Sequence, residues 1–198
     1  FRRAEIAEKG STDGKEDFNY LMTYFTNLDS QDLLILPTHR IIKKLPRQMD
    51  FLEEAFRIKR VKSKEELLVL LAGAGVNEHA FGLYQKDKIN LLRLKSEVLI
   101  DKIIKEGSAD YRRLDVTILK YFILNRLNIP FEDLCFTNSV NEAMDLVDQG
   151  SAAASFLLNP VKISQLREIA LAGERMPPKT TYFYPKVLSG LLVNKFEE

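Results

Sequence analysis

Two short stretches carry the side chains best placed by type to do chemistry: "PTHR" at 37–40 and "MPPKTTYFYPK" at 176–186. In the first, Thr38 offers a hydroxyl, His39 a donor that changes charge near neutral pH, and Arg40 a planar fork suited to phosphate or carboxylate. Pro37 interrupts the apolar run before them, which sets the three at or just past a strand end, where a rigid scaffold hands residues to a site. A polar strand end with an exposed arginine is the other reading. In the second stretch Thr181, Phe183 and Pro185 alternate with Thr180, Tyr182 and Tyr184, the spacing of a strand with two different faces. Lys179 and Lys186 bracket it. A lysine followed by a hydroxyl is how a P-loop ends, but no glycines precede Lys179 and no helix follows it, so this is not a P-loop. A phosphate contact through Lys179, Thr180 and Thr181 stays chemically open. So does a plain edge strand blunted by proline and lysine.

The remaining candidates are few. His39 and His79 are the only histidines. His79, in "GAGVNEHAFGLY", has no partner that the sequence names and reads as surface or structural. No second His or Cys stands at metal-ligand spacing, and no metal site is expected. Cys135 is the single cysteine. It lies in the strand-like "EDLCFTN" and reads as a buried, inert thiol.

The elements that must position these residues follow from pattern. "FNYLMTYFTNL" (18–28) and "LLILPTHRII" (33–42) read as an antiparallel pair of strands. "MDFLEEAFRIKRV" reads as a short helix running into a strand. Ser63 and Glu66 form a capping box for a helix that stops at Gly73. "AFGLYQKDKINLLRL" (80–94) reads as a hairpin around "KDK". "LDVTILKYFILNRLNI" (114–129) is apolar around most of its circumference and reads as a buried helix. "LCFTN" (134–138), a helix capped by Ser139 with Glu142, and "AAASFLLN" (152–159) have the length of a small strand–helix–strand crossover. Asn159 as cap, Pro160 at the first turn and Gly173 as stop bound the last helix. The fold class is therefore α+β: a mixed, largely antiparallel sheet with helices packed on one side and a strand–helix–strand unit in the second half.

Composition sets outer limits. The chain has 198 residues, enough for one largish domain, and residues 1–198 read as a single α+β domain. Its 29 basic and 28 acidic residues leave a net charge of +1, without the basic excess of a dedicated nucleic-acid binder. Local basic clusters exist at Arg40, Lys43, Lys44 and Arg47, and at Arg57, Lys59, Arg60 and Lys62. Solvated faces are the plainer reading of both, and a nucleic-acid-binding face is the other. No apolar run reaches the roughly 20 residues of a membrane span. No signal peptide is visible, and the cysteine usage suits a reducing, cytoplasmic setting. "FRRAEIAEKG" reads as the last turns of a helix closed by Gly10, the start expected of a C-terminal fragment of a longer protein.

"LPTHR", "SFLLNP" and "AGERMPPKTTYFYPKVLSGLL", in that order and spacing, resemble an uncharacterised bacterial and archaeal family known as domain of unknown function 1015. The likeness runs along nearly the whole chain, and "MPPKTTYFYPK" is its most specific part. Thr180 stands where a serine is expected, which keeps the hydroxyl. The resemblance implies longer members with an upstream Asp-Gly-His-His-Arg-Tyr-like segment, similar to the phosphate-handling motif of the ParB and sulfiredoxin superfamily. It further implies that "PTHR" and "MPPKTTYFYPK" line one site.

The resulting expectation is a domain that binds a phosphorylated small molecule or nucleotide. Arg40 and Lys179 would contact phosphate, with Thr38, Thr180, Thr181 and Lys186 nearby and Tyr182 or Tyr184 stacking on a ring. His39 would be the local proton-transfer group. If the reaction is phosphoryl transfer, magnesium and a nucleotide are the expected cofactors. The alternatives are a non-enzymatic, ParB-like nucleic-acid-binding regulator and a structural domain that forms homodimers.

Overall fold

The structure is a computed structural model that describes residues 4, 7–8, 15–16, 19–20, 22–46, 48–186, 188, 190 and 192–193. The chain groups into two compact units, Leu34–Tyr184 and the flanking residues 1–33 with 185–198. In the flanking unit Ala4, Ala7 and Glu8 are helical; the predicted cap at Gly10 lies outside the described residues. Every described strand belongs to Leu34–Tyr184.

Among the described residues, eight strands form two sheets. β1 (Leu34–Leu36) and β8 (Tyr182–Tyr184) make a two-stranded ribbon. The main sheet has the order β3-β5-β4-β7-β2-β6. It contains β2 (His39–Ile42), β3 (Phe56–Arg60), β4 (Ala80–Gln85), β5 (Lys88–Leu94), β6 (Leu134–Thr137) and β7 (Ala154–Leu157). Each pairing among these strands is antiparallel. The sheet is open, and the expected α+β class holds.

The run at 33–42 is not one strand. Pro37 has no N–H to give to a ladder, and the chain changes sheet there: β1 pairs with β8, and β2 enters the main sheet. The predicted partner at 18–28 forms no strand among its described residues. β2 instead lies between β6 and β7, with Arg40 opposite Phe136 on one side and Phe156 on the other. The predicted strand–helix–strand crossover is present, with β2 inserted between its two strands. β6 and β7 therefore run parallel to each other across a strand from far earlier in the chain.

Successive residues of β2 point to opposite faces, and each face has its own core. Ile42 packs with Phe81, Phe156, Ile118 and Phe122. Ile41 packs with Leu67, Leu71, Leu91 and Val147. Both isoleucines are 1% exposed, and burying each is worth roughly 1.5–3 kcal/mol. Helices thus cover both faces, where the sequence suggested one. The Ile41 face carries α2 (Lys64–Ala74) and α6 (Val140–Asp148). The Ile42 face carries α5 (Asp115–Leu119), which widens into a π turn over Lys120–Leu124. Short helices α1 (Leu52–Ala55), α3 (Val98–Ile103) and α4 (Ala109–Arg112) and the longer α7 (Ile163–Leu171) complete the unit.

The caps follow the sequence closely. Ser63 Oγ accepts from the Glu66 N–H at 3.2 Å and Ser139 Oγ from the Glu142 N–H at 3.3 Å. The Glu66 carboxylate reaches one residue further back than expected, to the Lys62 N–H at 3.0 Å. Ser139→Ala should destabilise the unit by about 1 kcal/mol in urea unfolding, the usual value of such a cap. α2 runs one residue past Gly73, to Ala74.

Gly82 lets α2 approach the sheet closely. A Cβ there would stand 3.0 Å from Leu67 Cδ2 and 3.1 Å from Leu157 Cβ. Leu67 is fully buried and has little room to retreat. Gly82→Ala should therefore lower stability by about 1–2 kcal/mol through overpacking, read as a lower urea midpoint at an unchanged slope.

Candidate functional site

Arg40 is an unusual occupant of a sheet centre. It is 5% exposed, on a strand that is paired on both sides. Its side chain leaves the same face as Ile42 and runs along the sheet toward the start of the strand. There Nη1 donates to the carbonyl of Thr38, and Nη2 donates to the carbonyl of Lys179 at 3.0 Å. The guanidinium carbon lies 5.7 Å from the centre of the Phe136 ring, a cation–π contact with its cross-strand neighbour. Among the described residues no carboxylate pairs with Arg40. Burial pulls its pKa down to about 10.

The bond to Lys179 joins the two stretches that the sequence singled out, across 139 residues. The turn that presents this carbonyl is built by its prolines. Pro178 stands second and Lys179 third in a four-residue turn from Pro177 to Thr180, with Lys179 at φ 56°. A left-handed third position with proline second is the pattern of a type II turn. Glycine or asparagine usually takes that third position, so lysine there is strained by about 1 kcal/mol. The Thr180 hydroxyl closes the turn by donating to the Pro177 carbonyl at 2.5 Å. Thr180 is buried, and the Lys179 side chain is exposed. Upstream, the chain is tied by Glu174, whose carboxylate accepts from the N–H and hydroxyl of Ser108 at 2.7 and 2.5 Å.

Thr38, Arg40, Asp115, Asn159, Gln165 and Thr180 surround a narrow cleft of about 10 Å³, the room of one water molecule. Asn159 does not cap α7 as predicted. Lys162 holds that position, because Pro160 is followed by two more extended residues before the helix starts. The Asn159 amide instead donates to the Leu71 carbonyl at 2.9 Å. Gly75 makes this possible: a Cβ there would fall 2.1 Å from Asn159 Nδ2.

His39 points to the opposite face from Arg40. It is 1% exposed, and its Nδ1 accepts from the Leu158 N–H at 3.2 Å. Nε2 is buried without a partner. Burial, reinforced by the neighbouring Arg40 charge, pulls its pKa down to about 4. The ring is therefore neutral at pH 7 and carries its proton on Nε2.

The other predicted residues are dispersed. Thr181 and Tyr182 are half-buried and Tyr184 is exposed; Tyr182 and Tyr184 belong to β8. Lys186 is exposed and belongs to the flanking unit. Of the two basic clusters, Arg40 is buried, Lys43 and Lys44 are exposed, and Arg47 lies outside the described residues. Arg57, Lys59 and Arg60 are exposed on β3, the edge of the main sheet. Cys135 is half-buried rather than enclosed.

Sequence reasoning passed over one pair. His79, read as surface or structural, sits just before β4 with Nδ1 2.8 Å from Asp115 Oδ1. Their side chains are 15% and 22% exposed, and Asp115 lines the cleft. Only the acidic residue opening the buried helix hinted at this pair, and it lies 36 residues from its partner.

Among the described residues no helix is long and apolar enough to cross a membrane. No curated protein matches the chain. Solved structures that resemble it include a conserved hypothetical protein from Pyrococcus furiosus, at 12% identity and a TM-score of 0.47, over 80% of this chain and 59% of that one. A mutant free serine kinase in complex with AMP matches at 16% identity and a TM-score of 0.46, over 92% and 64%. Another in complex with ADP matches at 14% identity and a TM-score of 0.45, over 81% and 58%. The chain thus spans about 60% of the length of these solved relatives. The family model described as "Protein of unknown function (DUF1015)" matches residues 2–117, which include "PTHR" and the His79–Asp115 pair, and the chain belongs to that family.

Proposed function

We propose that the cleft at the start of β2 binds the phosphate of a phosphorylated small molecule or nucleotide. The observation that carries this reading is the state of Arg40. A guanidinium has five N–H donors, and here two of them serve backbone carbonyls while no carboxylate among the described residues neutralises the charge. Burying a charge is costly unless it is paired and hydrogen-bonded. An anion in the cleft would supply the missing countercharge and meet the Asn159 amide and the Thr38 and Thr180 hydroxyls.

A space of about 10 Å³ admits no phosphate as it stands, so binding moves the 177–180 turn outward. That turn is the part best suited to move: its lysine is strained, and among the described residues its hydrogen bond to the main sheet is the one from Arg40 to the Lys179 carbonyl. Lys179, released, would add a second cation, with Thr181 and the ring of Tyr182 or Tyr184 following it. Phosphoryl transfer is the reaction that such a site would serve. Among the described residues no cluster of His, Cys, Asp or Glu would hold a metal, so magnesium would arrive on the ligand's own phosphates. His39 faces the other side of the sheet.

The test is thermal denaturation against AMP, ADP, ATP, sugar phosphates and phospho-amino acids, with and without magnesium. A ligand at about 100 times its Kd adds roughly 2.7 kcal/mol, or several degrees for a chain of this length. A flat panel overturns the reading. Lys179→Gly sharpens it. Glycine removes the left-handed strain but adds chain entropy in the unfolded state, so stability should stay within about 1 kcal/mol of wild type. Ligand affinity should nevertheless fall.

A further inference from the structure

We propose that His79 is a positioning residue for the Arg40 site: it holds the Asp115 carboxylate away from the guanidinium and so keeps Arg40 open to an anion. This rests on the reading of the cleft as a phosphate site. Asp115 and Arg40 line the same narrow cleft. A carboxylate and a buried, under-neutralised guanidinium facing one cleft attract each other. Yet they form no ion pair. The Asp115 carboxylate is turned to His79 Nδ1, 2.8 Å away.

His79 is well anchored for that task. Its carbonyl accepts from the Leu94 N–H at 2.9 Å, and the next residue, Ala80, is fully buried and paired with Arg93. The backbone that carries the imidazole is therefore fixed in the sheet. Asp115 opens α5 and can reach a new partner by side-chain rotation alone. Without His79, the cation across the cleft is its natural partner. A carboxylate seated on Arg40 would neutralise the charge and fill the space that an anion needs. The histidine thus acts on the site through the aspartate and need not touch the ligand.

The experiment is isothermal titration of the full chain with inorganic phosphate, comparing wild type, His79→Ala, Asp115→Asn and the double variant. His79→Ala should weaken phosphate binding about tenfold or more. Asp115→Asn, which removes the competing charge, should bind at least as tightly as wild type. The double variant should return to the affinity of Asp115→Asn, because nothing remains for His79 to restrain. A purely structural role for His79 predicts the opposite, a double variant as weak as His79→Ala, and that result overturns the proposal. His79→Ala binding like wild type overturns it as well. Should His79→Ala fail to fold, His79→Gln takes its place in the same cycle. If wild type binds phosphate and Arg40→Met does not, while His79→Ala is unchanged, only this inference falls. If neither wild type nor Asp115→Asn binds phosphate, the reading of the cleft falls with it.

Discussion

Arg40→Met is expected to abolish phosphate binding and to destabilise the Leu34–Tyr184 unit by about 2 kcal/mol. Methionine keeps most of the volume and loses all five donors. Against the change stands the removal of a buried charge. The fall in the Arg40 pKa from 12.5 to about 10 puts the desolvation it relieves at roughly 3 kcal/mol. Two hydrogen bonds from a charged donor are lost, worth about 1.5–3 kcal/mol each, together with a cation–π contact of about 1 kcal/mol. The losses outweigh the gain by a modest margin. Binding has no such offset, since the anion loses its only described cation within the cleft, and affinity should drop at least ~100-fold. Urea unfolding and phosphate titration of one preparation check both parts. Arg40→Met that binds phosphate like wild type would refute the assignment of the site.

The second large effect is a dependence of stability on pH. His39 titrates at about 6.5 when unfolded and at about 4 when folded. Between those values the unfolded chain holds a proton that the native ring refuses, so stability rises with pH across the window. The contribution is complete above pH ~7, is lost as pH falls from 6.5 to 4, and amounts to roughly 3 kcal/mol. Carboxylates titrate in part of the same range, so the comparison is with His39→Gln, whose amide oxygen can still accept from the Leu158 N–H. The stability difference between the two proteins should slope between pH 6.5 and 4 and be flat above 7. A difference that does not change with pH would mean that the ring is not held neutral.

Much of the local structure is legible in the sequence because its signals are local. The 80–94 hairpin is marked by polar residues between two apolar runs, and Asp87 takes the left-handed conformation at its turn. Ser63 and Ser139 cap the helices they announce. The misreadings concern long-range pairing. Nothing in "HRII" says that its partners start 92 residues later at Leu134. The apolar run at 18–28 is the nearest candidate by pattern, and Pro37 reads as a strand end when it is a change of sheet. Asn159 followed by Pro160 looks like a helix start, but tertiary contact with α2 takes the asparagine instead. At the site, Arg40 and the 176–181 turn are recognisable by residue type. Their contact through the Lys179 carbonyl is not, because a backbone acceptor leaves no mark on the side chain that carries it. His79 and Asp115 come from elements with no sequence feature in common.

The insertion of β2 between β6 and β7 has a consequence for synthesis. Arg40 leaves the ribosome 139 residues before the lysine whose carbonyl it binds. At about 5–20 residues per second this is roughly 7 to 28 s. Until residue 134 has emerged, a strand buried on both faces in the native sheet has neither neighbour available. The early hairpin can form, but the slot for "HRII" exists only after residue 157 has emerged, and the cleft only after residue 180. The cleft is thus among the last parts of the Leu34–Tyr184 unit that the ribosome makes possible, followed by the β1–β8 ribbon, and a ligand bound at the proposed site would mark chains in which the six-stranded sheet has closed.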